Sequence, residues 1–184
     1  GLRRVADLLD LHGARRSYEL YADTKMGNLK IGTAVLNLNV VEDQFTFTTE
    51  AKTESLWKAL YDFSRSEIST GNEVDGQVIN NYFSVIEKIK DEVKKNYEIN
   101  IATDKNYAIS STGEEWEIKP GLLVDPLSVY LALSNDMLNN PNQNEFTYQV
   151  VDQDGVQYLK FRVESKENIE INGSEIETLR VVCD

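Results

Sequence analysis

Apolar and polar residues alternate with period two from Ser17 onward. Tyr18, Leu20 and Ala22 fall on one side of an extended chain, Met26-Gly27-Asn28 supplies a turn, and Ile31, Thr33 and Val35 resume the alternation. Leu36, Leu38 and Val40 continue it on the opposite parity. That switch predicts a bulge near Val35 and Leu36, because a slip of one residue moves every following side chain to the other face. Glu42-Asp43 reverses the chain into a run where Phe45 and Phe47 share a face, which reads as a meander.

Turn chemistry recurs farther on. Asp75-Gly76, Thr112-Gly113, Asp154-Gly155 and Asn172-Gly173 each separate alternating runs, and Asp-Gly or Asn-Gly readily takes the positive φ angles of a tight hairpin. The flanking runs are 65–74, 77–90, 97–103, 107–110, 115–118, 146–151, 156–164, 168–171 and 175–182. With the N-terminal meander they make roughly ten strands, enough for an antiparallel curved sheet or half-open β-barrel. The fold class is therefore mainly β, with one or two short helices packed at or inside one end.

Two stretches break the alternation. In 53–63, Leu56, Leu60 and Phe63 recur at helical spacing between two strands. In 121–133, GLLVDPLSVYLAL, Asp125 is placed to cap a helix and Pro126 to open it, where its missing N–H costs nothing. Leu127, Tyr130, Leu131 and Leu138 would share an apolar face of that helix, and its scarcity of charge predicts that it fills one end of the sheet. The 53–63 turn is expected to add apolar volume there.

The chain has 184 residues, enough for one core. Its net charge of −12 repels phosphate backbones and anionic lipid headgroups, so nucleic acid is not an expected partner. No segment has the roughly 18 consecutive apolar residues needed to span a bilayer as a helix. Cys183 is the only cysteine, which excludes an internal disulfide. The first sixteen residues differ in kind: they hold four of the seven arginines, whereas the remainder has twelve lysines to three arginines. Residues 1–16 read as a short amphipathic leader, linker or appended helix, followed by one β-rich domain over 17–184.

Catalytic motifs are scarce. The one histidine, His12, lies in the leader, far in sequence from Cys183, and no nucleophile elbow, phosphate loop or dinucleotide-binding glycine pattern occurs. No cofactor and no metal centre is expected. Asp152-Gln153-Asp154-Gly155 carries part of a calcium loop without its closing glutamate, and reads better as a turn. Glu114, Glu115 and Glu117 flank Trp116 and raise the reading of a polysaccharide-active enzyme with paired carboxylates, but alternation places Trp116 on the core side of a strand. Asn172-Gly173-Ser174 matches a glycosylation acceptor and also a hairpin turn. The better candidates are aromatic. Trp57, Tyr61 and Phe63 fall within seven residues and, with Tyr130 and Leu131 of the central helix, could line the mouth of an apolar cavity.

Several pieces occur in a recognisable order: Tyr18-Glu19-Leu20, Gly32-Thr33-Ala34 within KIGTAVLNL, Glu50-Ala51-Lys52-Thr53, Leu60-Tyr61, Arg65-Ser66-Glu67 and Asp125-Pro126-Leu127-Ser128. Their order and spacing over 18–184 resemble a bacterial exported family of unknown function, domain of unknown function 3108. The resemblance implies a periplasmic or outer-membrane-associated protein of Gram-negative bacteria, made as a precursor, with a curved sheet or barrel and no catalytic residues to transfer. Members continue past the strand that matches 179–182, so the resemblance also implies an open sheet edge here. The leader has no counterpart in it.

Three functions follow as expectations. The first is a non-catalytic envelope protein that holds a hydrophobic or lipid-like ligand, signalled by a continuous cavity along Trp57, Tyr61, Tyr130 and Leu131. The second is an envelope-assembly module that binds a protein partner, signalled by a filled interior and a long unpaired strand edge. The third is the polysaccharide enzyme, which needs two carboxyls about 5 to 9 Å apart across a cleft.

Overall fold

The computed structural model describes residues 15–24, 27–119, 121–171 and 173–183. The leader helix therefore lies outside the described residues, except that Arg15 and Arg16 already belong to the first strand. Eight strands form one antiparallel meander in sequence order: β1 (Arg15–Thr24), β2 (Gly27–Val41), β3 (Gln44–Thr53), β4 (Phe63–Val74), β5 (Gln77–Ile89), β6 (Glu92–Ala102), β7 (Tyr107–Ser110) and β8 (Glu115–Glu117). A second sheet follows in the order β12-β11-β10-β9, from β9 (Leu123–Val124), β10 (Glu145–Asp152), β11 (Gly155–Ile171) and β12 (Ser174–Cys183). Neither sheet closes on itself. Two α-helices complete the described elements, α1 (Ser55–Leu60) and α2 (Ser128–Asn139).

The opening helical stretch has a topological cause. β9 and β10 pair in parallel, and parallel neighbours need a crossover connection, which α2 supplies. The helix packs against β5, β9 and β10 and buries Val129, Leu131, Ala132 and Leu133. Its outward side differs from the predicted apolar face: Tyr130 is 58% exposed and Leu138 is half-buried, so the face is centred one position later. The interior below is solid. Leu38, Phe45, Phe83, Ile99, Leu131 and Val124 are among its fully buried or nearly fully buried side chains.

Asp125 anchors the helix in this apolar setting. Ser69 Oγ on β4 donates to its carboxylate at 2.5 Å, and the backbone N–H groups of Leu127 and Ser128 donate at 2.7 and 2.8 Å. The Asp125 N–H returns a bond to Ser128 Oγ at 3.0 Å, a reciprocal cap set just ahead of the regular helix. Asn80 on β5 extends the network to Ser69 Oγ at 3.1 Å. Burial pushes the Asp125 carboxyl up to about 6, even though the donors from Ser69, Ser128 and Leu127 favour its ionised form.

Bulges set which side chains face inward. In β5 the partner of Thr70 is Tyr82 but that of Gly71 is Asn80, so Asn81 is an extra residue and the buried positions change from Val78 and Asn80 to Phe83 and Val85. The expected bulge near Val35 and Leu36 is absent, since β2 pairs with β3 without a break from Gly32 to Val41. It lies instead at Ile31, between the pairs Leu20 with Gly32 and Tyr21 with Lys30. Asp75 and Gly76 both have positive φ, as their turn chemistry requires, and Gly113, Gly155 and Gly173 do too. The turn position at 25–26 and Asn172 lie outside the described residues. Two strands differ from expectation: β6 begins at Glu92 after a Lys90-Asp91 turn with φ of 51° and 63°, and β11 runs unbroken where two strands were expected.

Two substitutions test this account. At Gly71 an added Cβ would stand 2.1 Å from the Ile79 carbonyl oxygen and 2.6 Å from the Phe45 ring, so Gly71→Ala should lower stability by about 2 kcal/mol or more in urea titration. Asp125→Asn keeps the acceptor for the two backbone N–H groups and removes the titration. Because the native carboxyl is raised from 3.8 to about 6, its contribution to wild-type stability is fully present below about pH 4 and is lost as pH rises through 6. Relative to Asp125→Asn, the wild type should lose on the order of 2–3 kcal/mol between pH 4 and 7.5.

Candidate functional site

Residues facing inward from the large sheet form rows across the strands, and burial changes from row to row. The central row, Leu38, Phe47, Ser69, Phe83 and Ile99, is completely or almost completely buried beneath α2 and the second sheet. The next row toward the β3–β4 connection is Leu36, Thr49, Glu67, Val85 and Tyr97; Val85 and Tyr97 are buried, while Leu36, Thr49 and Glu67 are half-buried. Beyond it stand Tyr18, Ala34, Ala51, Arg65, Glu87 and Lys95, of which Tyr18 and Lys95 are exposed and the rest half-buried. Leu20, Thr53, Phe63 and Ile89, all half-buried, finish the face. The uncovered end of the inner face is the candidate site.

Charge on its floor is tightly organised. Arg65 reaches Glu67 with Nη2 at 2.7 Å and Nε at 3.1 Å, and Glu87 with Nη1 at 2.8 Å. Thr49 Oγ1 donates to the other Glu67 oxygen at 2.8 Å. All three charged side chains are less than a third exposed, at 29%, 18% and 16% for Arg65, Glu67 and Glu87. One cation between two carboxylates makes the cluster itself net negative, with the exposed Lys95 opposite Glu87 at its rim, and the remaining carboxylate lone pairs can accept from a ligand. The same geometry opposes the glycosidase reading: Arg65 lies between the carboxylates, where a glycosidic oxygen and water would have to sit. Burial pushes the neighbouring Tyr97 hydroxyl up to about 12, against the lowering influence of Arg65.

The aromatic candidates divide between two places. Phe63 lies on the uncovered inner face, and Tyr61, 48% exposed, stacks on it with ring centroids 6.0 Å apart and planes 8° apart. Thr53 fixes this corner: its hydroxyl oxygen accepts from the Phe63 N–H at 2.9 Å and its hydroxyl donates to the Tyr61 carbonyl at 2.8 Å. Trp57 falls in α1, and its side chain is not among the described parts. Leu60, at 69% exposed, adds no apolar volume to the interior. Tyr130 points outward from α2, while Leu131 is 2% exposed in the core. They therefore do not join Tyr61 and Phe63 around a common cavity. Sequence reading passed over Arg65, Glu67 and Glu87; the Arg-Ser-Glu spacing puts two of them on one strand face, but Glu87 joins only through register.

Other motifs settle into structural positions. Trp116 is half-buried against the core, and the Cα of Gly155 lies beneath its indole; an added Cβ there would be 3.3 Å from Nε1. Glu115 and Glu117 are exposed, and Glu114 accepts from Thr112 Oγ1. Asp152 accepts from the Asp154 N–H at 2.9 Å within its turn. Among the described residues no group of three or more His, Cys, Asp or Glu side chains could hold a metal ion, and no helix is long and apolar enough to cross a membrane.

No family model matches this chain, and no curated protein matches it. Its fold is similar to the crystal structure of a β-barrel-like protein of domain of unknown function DUF1849 from Brucella abortus, with a TM-score of 0.58 and 10% sequence identity over 92% of this chain and 78% of that one. That likeness establishes a β-barrel-like fold of the kind found in a family of unknown function.

Proposed function

We propose that this protein is a non-catalytic binding module of the Gram-negative cell envelope, periplasmic or attached to the outer membrane, which holds an amphiphilic ligand on the uncovered inner face of its large sheet. One observation carries the reading: α2 and the second sheet cover only one end of that face, leaving Leu20, Leu36, Ala51, Phe63 and Ile89 half-buried around a bound Arg–Glu–Glu cluster. Apolar side chains would take a short acyl or aliphatic body, and Tyr61 and Phe63 would close its end. The envelope location rests on the sequence resemblance to an exported family over 18–184. Membership in domain family 3108 is part of the same proposal.

The cluster also sets the preferred polar group. Arg65 is already engaged by Glu67 and Glu87, so a ligand meets excess carboxylate and is best matched by a cation or hydrogen-bond donor. A second reading, a module that docks an envelope protein, has the signature expected of it, a filled core with an open edge, since among the described residues β1 pairs only with β2; the uncovered inner face beyond that core is what favours a ligand.

Native mass spectrometry with a matched panel tests the proposal. Dodecylamine and lysophosphatidylethanolamine should bind at least about tenfold more tightly than dodecanoate, and Phe63→Ala should weaken both by about tenfold. No uptake of any member, or preference for dodecanoate, overturns it. Arg65→Leu should leave Glu67 and Glu87 uncompensated and lower stability by about 1–2 kcal/mol at pH 7 in urea titration, whereas Arg65→Lys, which keeps the charge, should lose less.

A further inference from the structure

The long strand β11 extends past its neighbour. β10 pairs with it from Gly155 to Arg162, while β12 pairs with it from Phe161 to Ile171. The final bond on the β10 side is the Val163 N–H to the Asn144 carbonyl at 2.9 Å, after which the chain leaves toward α2. Among the described residues, β11 therefore has a ladder partner on one side only from 164 to 171. At the same point Glu164 is an extra residue, since Val163 pairs with Val181 and Ser165 with Arg180, a bulge of the kind that bends a strand and increases its twist.

A cleft of about 490 Å³ adjoins the start of this open edge, between the segment 137–144 and the face that β11 and β12 share. Met137, Val163 and Leu179 give it apolar walls, and Glu164, Lys166 and Glu177 give it charged ones. Natural edge strands are commonly guarded by lysine, proline or a covering element; this stretch of β11 has one lysine and no proline. Its hairpin holds Glu164, Glu167, Glu170, Glu175 and Glu177 against Lys166 and Arg180. Both cations are taken, Lys166 by Glu177 at 3.1 Å and Arg180 by Glu164 at 2.9 Å. Glu167, Glu170 and Glu175 have no ion pair among the described residues.

We infer that the open side of β11 and the adjoining cleft form a docking site for an extended basic peptide segment of a protein partner. The peptide continues the β10 ladder along 164–171, places an apolar side chain between Met137, Val163 and Leu179, and directs lysine or arginine toward the unpaired glutamates. This surface is separate from the inner-face ligand site, so each proposal can fail without the other.

A fluorescein-labelled ten-residue peptide alternating lysine with valine provides the probe. Its binding, read by fluorescence anisotropy, should weaken by about tenfold or more when alternate backbone amides are N-methylated, and likewise when glutamate replaces lysine. Hydrogen exchange should slow at the amides of 164–171. Leu179→Lys, at a part-exposed position that leaves folding intact, should also weaken binding about tenfold, whereas Phe63→Ala should leave it unchanged. Equal binding of the N-methylated peptide, or no protection at 164–171, would reduce the contact to charge attraction and overturn the inference. No binding of the lysine peptide also overturns it.

Discussion

The fold depends on how a carboxylate is accommodated inside an apolar core. Asp125 satisfies the first free N–H groups of α2 and, through Ser69, ties that helix to β4 of the large sheet. Without such partners a buried carboxylate would cost several kcal/mol, so helix start and sheet position are set together. Asn80 carries the constraint on to β5, next to the bulge that brings Phe83 and Val85 inward. The helix cannot slide along the sheet without breaking this arrangement.

Partial coverage follows from that position. With α2 anchored beneath Ser69, the row through Leu38, Phe47 and Phe83 is sealed, while the row through Ala51, Arg65 and Glu87 retains access to solvent. A polar cluster is suited to such a boundary: wet enough to lower the cost of charge, yet covered enough for Arg65 to remain bound to both glutamates. The filled core and the open end are thus consequences of one anchor.

Much of the architecture was legible in the sequence. Period-two alternation gave the meander, Asp-Gly pairs gave the hairpins at 75–76 and 154–155, and Asp125-Pro126-Leu127-Ser128 gave the helix start. The rest depended on information that alternation does not carry. Lys90-Asp91 takes positive φ without glycine or asparagine, so its turn had no local signature. The phase change at Val35 and Leu36 was real in sequence, but half-burial on both faces of β2 meant that no bulge was needed there. Tyr130 was placed on the buried face because helical spacing alone cannot fix where the face is centred. The Arg65, Glu67 and Glu87 cluster is assembled by strand register, with Arg65 opposite Glu87 across 22 residues of chain.

Half-coverage of the inner face is the central claim, and thiol labelling measures it directly. In a Cys183→Ser background, Ala51→Cys probes the open row and Ala108→Cys a fully buried position opposite Ile101, both by small replacements on the same large sheet. The account predicts maleimide labelling of the first at least about a hundredfold faster than of the second under native conditions, because Ala108 reacts only through opening of the fold. Equal protection of both sites would mean that the open end is closed by something else, and equal reactivity would mean that the core is not sealed; either contradicts it.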